Sequence, residues 1–221
     1  MRKLGRIQCR SHPVETRQTG LFNSAIPPAP SQSAARERIL EAASVAFYGR
    51  GIGAVGVDLV VAEAGVAKAT LYRHFRSKDD LVVAFLRRRD GRWRGWLRSA
   101  VERLAPRPAD RPLAVFDALG EWFASEDFRG CAFINAAAEI ADPDHPARAA
   151  VEDHERLLGS DLEDMLRAAG AADPAGDAAA LLLLVQGAIV SALIEKDAAP
   201  AARARAAAAR ILSTPPTKES E

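Results

Sequence analysis

The stretch from Lys68 to Phe75 carries side chains whose chemistry suits contact with a polyanion. If this stretch is helical, Leu71 and Phe75 lie four residues apart on one face and point towards a core. The opposite face then presents cationic and aromatic groups, flanked by a hydroxyl and an imidazole: Lys68, Ala69, Tyr72, Arg73, Thr70 and His74. Groups of these kinds donate hydrogen bonds to phosphate oxygens and to acceptors on base edges. The chemistry that this face could perform is therefore the binding of nucleic acid.

A second short helical pattern precedes this stretch, and a glycine separates the two. The segment from Leu59 to Ala64 suits a helix that ends at Gly65, because glycine tolerates the positive φ that follows many helix ends. Val66 would then pack in the corner between the helices. Two helices joined by a glycine-bearing turn, the second with a cationic outer face, outline a helix-turn-helix. Spacing alone leaves this open, because short amphipathic helix pairs are common.

The residue types are more specific than their spacing. The segment A-G-V-x-K-x-T-L-Y-x-H-F-x-S-K-x-x-L, preceded by a helix that ends in F-Y-G-R-G, closely resembles the DNA-binding domain of the tetracycline-repressor (TetR) family. The resemblance covers about residues 33–86. For the remainder of the chain it implies a longer, all-helical part that in this family binds small molecules and forms dimers.

The resemblance also implies residue roles. Four side chains lie at positions where the family contacts phosphates: Thr70, Tyr72, His74 and Lys78. Three more lie where the family meets base edges in the major groove: Lys68, Ala69 and Arg73. Arg73 could bind O6 and N7 of a guanine, and Ala69 could contact a thymine methyl group. A phosphate contact remains the alternative role for Arg73.

Three residues depart from the family pattern. Ala67 stands where many relatives have a capping serine, so we expect the second helix to lack its side-chain N-cap, a loss of about 1 kcal/mol. Val61 occupies a position that is more often alanine, which predicts different packing between the two helices. Asp58 begins the first helix of the pair, where we expect it to act as a cap; acceptance of a hydrogen bond from a cytosine amine is the alternative.

Composition and charge favour a globular protein whose N-terminal part is basic. Of 221 residues, 48% are hydrophobic and 27% charged, which is ordinary for a soluble domain. The net charge of +1 conceals an asymmetry, because residues 1–90 carry 15 Lys/Arg against 8 Asp/Glu and residues 91–221 carry 15 against 21. A basic N-terminal part predicts a polyanionic partner. Cys9 and Cys131 are too few for a disulfide framework, and no signal peptide is predicted, so we expect a cytoplasmic protein.

The predicted fold is all-α. An N-terminal three-helix helix-turn-helix domain is joined through a long fourth helix to a C-terminal helical ligand-binding and dimerisation domain. Ser33 is expected to cap the first helix, to about Tyr48, and Ser77 the fourth, to about Leu104. Five further helices are predicted near 111–126, 131–141, 147–169, 175–196 and 199–212. The predicted divisions are a basic, disordered arm at 1–32, the DNA-binding domain at 33–90, the C-terminal domain at 91–213 and a flexible tail at 214–221. The arm could follow phosphates or be inert.

Candidate effector contacts come from the C-terminal part: Trp122, Phe123, Cys131, Asn135, Glu139 and Gln186. Residues 131, 135 and 139 are spaced by four, which places three polar groups on one face of an otherwise apolar helix. Aromatic residues at helical spacing are more often part of a plain core than of a pocket wall. Gln186 lies in the apolar run from Ala178 to Ile194, which we interpret as a buried helix and not a membrane span.

These observations predict a homodimeric transcription regulator, a repressor that leaves a palindromic DNA operator when a small molecule binds. The helices near 175–196 and 199–212 are the expected dimer surface, because the first is apolar on nearly all sides. No cofactor is expected, and no metal, because Glu139, His145 and His154 show no ligand spacing. An enzyme and an architectural DNA-binding protein are the alternatives; no nucleophile with a matched base is evident, and compaction of DNA would not need the long second domain.

Overall fold

The computed structural model describes residues 34–213, and all regular structure within this range is helical. The elements are α1 (Ala34–Arg50), α2 (Val57–Ala64), α3 (Lys68–His74), α4 (Lys78–Leu104), a 3-10 turn (Pro108–Asp110), α5 (Arg111–Phe123), α6 (Ala132–Glu139), α7 (Ala147–Ala169), α8 (Pro174–Glu195) and α9 (Ala199–Ser213). The all-α prediction is confirmed for this part of the chain. The predicted arm, the Ser33 cap and the tail at 214–221 lie outside the described residues.

The first three helices pack together around buried apolar side chains at one end of the hydrophobic core. Ile39, Ala43 and Phe47 on α1 are almost wholly buried, as their spacing predicts. Val60 of α2 and Leu71 of α3 are completely buried and close the same core. Leu71 faces this packing from the inner side of α3, and the opposite side of the helix remains exposed.

Helix α4 is shared between these three helices and the C-terminal helices. It begins at a Ser77 N-cap, whose side chain accepts a hydrogen bond from the Asp80 amide at 3.0 Å, as predicted. Near its start, Phe85 packs on Phe47 with ring centroids 5.7 Å apart. Two turns later, Trp93 packs edge-on against Trp122 of α5 at 5.4 Å. A single rigid element therefore contributes side chains to both groups of helices.

Helix α8 buries one side and exposes the other. Leu181 and Val185 are completely buried against the helices around them, whereas Leu183 and Ile194 are 70% and 73% exposed. By length and composition alone this helix could cross a membrane. Its packing against α5, α7 and α9 makes it part of the helical domain, with an apolar side left over.

Two helix ends differ from the prediction for local reasons. Helix α5 ends at Phe123, where the Ser125 hydroxyl donates a hydrogen bond back to the Trp122 carbonyl at 2.7 Å. Helix α6 begins after Cys131 and ends before Ile140, which both have extended backbone conformations. The 3-10 turn that precedes α5 was not predicted.

Candidate nucleic-acid interface

The turn between α2 and α3 fixes the direction of the exposed helix. Gly65 has φ 61° and ψ 44°, the left-handed conformation that glycine adopts without strain. Its amide and that of Val66 return to the last carbonyls of α2, at 3.2 and 3.3 Å, which is the Schellman pattern. Leu71 and Phe75 anchor the inner side of α3 in the core. The sequence-based prediction of this turn is confirmed.

The predicted contact residues of α3 lie together on its outer side. Lys68, Ala69, Tyr72 and Arg73 are exposed, and Thr70 and His74 are half-buried at the edges of this face. Tyr72 is the exposed aromatic of the set, at 44%. Ala67 is the N-cap residue and makes no side-chain capping bond, as its type predicts. The resulting surface offers several hydrogen-bond donors on an exposed helix, an element that the width of a major groove admits.

Asp58 does not have the predicted role. The N-cap of α2 is Gly56, without a side-chain capping bond, and Asp58 lies one position inside the helix, so the capping prediction is wrong. Its carboxylate instead lies 2.7 Å from the ammonium of Lys68, the first residue of α3. This hydrogen bond and the negative charge of Asp58 raise the pKa of Lys68 above its ordinary value. Both groups remain exposed, so the pair stays available to a partner.

Lys78 lies at the first position of α4 and already has one partner within the fold. Its ammonium donates to the carbonyl of Ile52, in the loop between α1 and α2, at 2.6 Å. An ammonium carries three N–H donors, so two remain for phosphate oxygens. The next residue, Asp79, lies 3.3 Å from His145 in the loop between α6 and α7. The start of α4 is therefore tied to both parts of the protein.

Tyr48, at the end of α1, makes the first contact of what we call the interdomain junction. Its hydroxyl accepts a hydrogen bond from the Arg129 amide and donates one to the Gly130 carbonyl, both at 3.0 Å. The guanidinium of Arg89 lies 3.7 Å above the centre of the Tyr48 ring. Burial raises the pKa of Tyr48 and lowers the pKa of Arg89. The loop before α6 is thereby joined to the DNA-binding helices.

Glu139, the last residue of α6, makes the second contact of the interdomain junction. Its carboxylate accepts a hydrogen bond from the Gly53 amide at 2.7 Å. Gly51 in the same loop has φ +88°, and a Cβ there would come within 3.1 Å of the Glu139 carboxylate. A small cavity of about 10 Å³ adjoins this contact and is lined in part by Tyr48 and Asn135. The positive φ and the close approach thus favour glycine at position 51, whereas a Cβ at Gly53 would make an ordinary contact with the carboxylate at 3.5 Å.

The other predicted effector contacts differ in their surroundings in the structure. Trp122 and Phe123 lie in an aromatic cluster with Phe128, with ring centroids 5.1 and 5.0 Å from it. Cys131 precedes α6 as its N-cap residue, and its carbonyl accepts a hydrogen bond from the Asn135 amide at 3.0 Å. Burial raises the pKa of its thiol to about 11, so the thiol is protonated at neutral pH. Asn135 donates to the Arg129 carbonyl at 3.0 Å.

Gln186, the last of the predicted effector contacts, has a protein partner. Its side-chain amide donates a hydrogen bond to Glu155 of α7, which provides the partner that its place in an apolar run demanded. This bond joins α8 to α7 through a polar contact within a largely apolar packing surface.

A buried histidine was not recognised from the sequence. His154 of α7 is 2% exposed, and its ring stacks on Phe133 with centroids 3.6 Å apart. Its Nδ1 lies 2.7 Å from the carboxylate of Asp90, which also accepts from Arg94 at 2.9 Å. Burial alone would raise the pKa of Asp90, but the hydrogen bonds from His154 and Arg94 outweigh it and lower that pKa. His154 follows Ala150 by four residues on the buried side of α7, and this spacing was the signal available in the sequence.

Comparison with known families divides the chain in two. Residues 39–85 match the family of bacterial regulatory proteins named tetR, and residues 108–208 match the tetracyclin repressor-like C-terminal domain.

Individual relatives agree with the family match. A TetR-family transcriptional regulator from Streptomyces coelicolor has a similar structure, with 35% identity and a TM-score of 0.73, covering 83% of this chain and 98% of its own. The transcriptional repressor NemR of Escherichia coli is 27% identical over 190 residues, 81% of this chain and 94% of NemR. The transcriptional activator FasR of Mycolicibacterium smegmatis is 47% identical over 53 residues, so the match spans only 24% of each chain.

Proposed function

This chain belongs to the TetR family of DNA-binding transcription regulators, and we propose that it is a cytoplasmic repressor released from its operator by a small molecule. It is not an enzyme, since its relatives regulate transcription. NemR, a relative matched over 81% of this chain and 94% of its own length, is a repressor, whereas the activator FasR matches over 24% of each chain. The observation that carries the DNA-binding role is the exposed, donor-rich side of α3 above a fully buried anchor.

We assign the contacts on DNA by side-chain chemistry. Phosphate oxygens would be held by hydroxyl, phenol, imidazole and ammonium groups: Thr70, Tyr72, His74 and Lys78. Base edges would be met by the residues at the start and middle of the outer side: Lys68, Ala69 and Arg73. Phosphate contacts set the register of the protein on the duplex, and base contacts supply the sequence preference. The hydrogen bond from Lys78 to Ile52 supports this assignment, because it holds the ammonium at the edge of the DNA-binding core.

A homodimer would supply the second recognition helix. Helix α3 has only seven residues, and one such helix buries too little surface for tight, specific binding. The exposed apolar side of α8 supports self-association: Leu183, Val190, Leu193 and Ile194 are all exposed there. We propose that α8 and α9 of two chains form a symmetric four-helix contact. Two copies of α3 would then read the two halves of a palindromic operator.

The effector would bind at the aromatic cluster and carry a polar acceptor. Trp93 and Trp122 are buried and pack with Phe128, so the effector would bind by parting these rings. The indole N–H of Trp93 is buried and has no hydrogen-bond partner within residues 34–213, so an acceptor on the effector would satisfy it. We retain Trp122, Phe123, Cys131, Asn135, Glu139 and Gln186 as candidate contacts. Asn135, Glu139 and Gln186 already have protein partners, so an effector would reach them only by replacing those bonds.

Replacement of such a bond offers a route from effector to DNA. A hydrogen bond to a charged group contributes about 1.5–3 kcal/mol, and about 1 kcal/mol or less when it is exposed, as at Glu139. A hundredfold effector preference for the non-binding form supplies about 2.7 kcal/mol. An effector that competes with Gly53 for Glu139 could therefore shift the DNA-binding helices without unfolding the domain.

Selection of duplexes from a random pool tests the proposed function. We expect the enriched sequences to share a palindrome, and the complex to contain two chains per duplex. A protein that enriches no sequence would contradict a specific regulatory role. Enrichment of a non-repeated site bound by one chain would contradict the dimer while leaving specific DNA binding intact.

A further inference from the structure

The ion pair between Asp58 and Lys68 places both charges beside the exposed outer side of α3. It joins the first turn of α2 to the first residue of α3, and the side chains are 81% and 54% exposed. The N-terminal residues of a recognition helix contact base edges in the major groove. A carboxylate 2.7 Å from the Lys68 ammonium therefore lies at the same edges.

Stability accounts poorly for this pair. An ion pair at such exposure contributes little to the free energy of unfolding, and Asp58 does not cap its helix. A negative charge beside a phosphate backbone also weakens attraction to every DNA sequence alike. A carboxylate at this position gives an advantage only where it accepts a hydrogen bond that some base pairs offer and others do not.

A G·C base pair matches the two side chains in the major groove. Guanine presents two acceptors, N7 and O6, and cytosine presents the N4 amine as a donor next to them. Lys68 can donate and Asp58 can only accept, in the same adjacent order. We propose that Asp58 and Lys68 read one G·C base pair in each half-site as a unit, Lys68 at the guanine and Asp58 at the cytosine amine. This inference rests on the proposed DNA-binding role of α3.

An A·T base pair fits the same two groups worse. Its adenine offers the ammonium one acceptor beside an amine, and its thymine presents an oxygen acceptor and a methyl group. Held where they match a G·C pair, the ammonium would face the adenine N6 amine and the carboxylate the thymine O4 acceptor. Moved onto adenine alone, Lys68 would donate to N7 and Asp58 would accept from N6, so the ammonium would have one acceptor fewer than guanine offers. The preference for G·C over A·T at this position should be roughly 5- to 150-fold, the range of one good pair of base contacts.

The test compares the sequences that wild type, Asp58→Ala and Glu63→Ala select from one random duplex pool. Glu63 is the matched control, because its carboxylate is on the same helix but pairs with Arg50 at 3.1 Å and not with α3. Wild type should enrich G·C at one symmetric position per half-site. Asp58→Ala should lose most of that preference, keep every other position and bind unselected DNA more tightly. Glu63→Ala should keep all positions, because it removes a charge and no base contact.

Each result bears on the inference separately from the function. If wild type and Asp58→Ala have the same base preferences, the inference is overturned, while specific DNA binding remains in place. Enrichment of A·T at the position that changes in Asp58→Ala would overturn the inference in the same way. A wild type that enriches no sequence would contradict the proposed function and this inference together. Thermal unfolding without DNA completes the test, because a purely structural pair would alter stability and leave base preference unchanged.

Discussion

Replacement of Tyr48 by phenylalanine removes a single oxygen from the interdomain junction. The hydroxyl accepts from the Arg129 amide and donates to the Gly130 carbonyl, both at 3.0 Å. Phenylalanine keeps the ring under the Arg89 guanidinium, so the change removes the hydrogen bonds of the hydroxyl and leaves the ring contact in place. Gly130 is buried, and its carbonyl would lose its partner without gaining water.

The expected loss in the free energy of unfolding is about 1–3 kcal/mol, the cost of leaving buried groups unsatisfied. For a chain of this size each 1 kcal/mol lowers Tm by about 2–4 °C. Urea titration should show a lower midpoint with an unchanged slope, because the surface exposed on unfolding is the same. Burial raises the pKa of Tyr48, so its neutral form stabilises the fold fully below about pH 10 and this contribution is lost as pH rises further. Tyr48→Phe should lack that alkaline loss.

The second tyrosine of the chain is the matched control. Tyr72 is 44% exposed on the outer side of α3, so Tyr72→Phe should change the free energy of unfolding by less than about 0.5 kcal/mol. It should weaken operator binding, because a phosphate loses a donor. Equal stability of Tyr48→Phe and wild type would refute the junction as a stabilising contact. A Tyr72→Phe variant with normal operator affinity would remove that hydroxyl from the interface.

Three further substitutions test separate parts of the account. Arg73→Ala should relax base preference at one symmetric position by about 1–3 kcal/mol in a binding panel of operator variants, and Arg107→Ala in the C-terminal domain should change none. Leu183→Arg should yield folded monomers in analytical ultracentrifugation, because its side chain is 70% exposed in one chain and would be buried in a dimer, whereas Val45→Arg on α1 should remain dimeric. Asp90→Asn should lose less stability in acid than wild type does, as measured by urea titration at several pH values. The pKa of Asp90 is lowered in the folded state, so its ionised carboxylate stabilises the fold above about pH 3.9, and this contribution is lost as pH falls further.

The parts of the fold that the sequence predicts well depend on local signals. Ser77 followed by Asp79 and Asp80 marks the start of α4, and the structure has the cap at that residue. Gly65 marks the turn before α3 because its positive φ excludes most other residues. Apolar spacing then indicates which sides of the helices are buried. These features need information from only a few neighbouring residues.

The interdomain junction depends on residues far apart in the sequence. Tyr48 and Gly130 are separated by 82 residues, and Gly53 and Glu139 by 86. The glycines after Tyr48 predict a loop, but their spacing contains no information about which carboxylate the loop encloses. Glu139 was predicted as an effector contact for a similar reason, because a polar group on an apolar helix could face either a ligand or another part of the chain.

Asp58 shows how a small shift of a helix end alters a predicted role. A carboxylate at the start of a helix suits a cap, but here the cap lies two residues earlier, at Gly56, and the helix begins at Val57. The carboxylate then lies within the first turn, where it reaches across to Lys68 of the next helix. The boundary of a helix is the least certain part of a prediction from pattern, and the role of this residue depends on it.

The dependence of operator binding on salt tests most directly whether the face of α3 and the start of α4 meet DNA. About eight phosphate contacts in a dimer predict that the logarithm of the binding constant falls against the logarithm of salt concentration with a slope near −7. Lys78→Ala removes one ammonium per chain and should flatten that slope by about two, with the same loss for every sequence. An identical slope in the two proteins would contradict the account, because it would show that DNA does not reach Lys78.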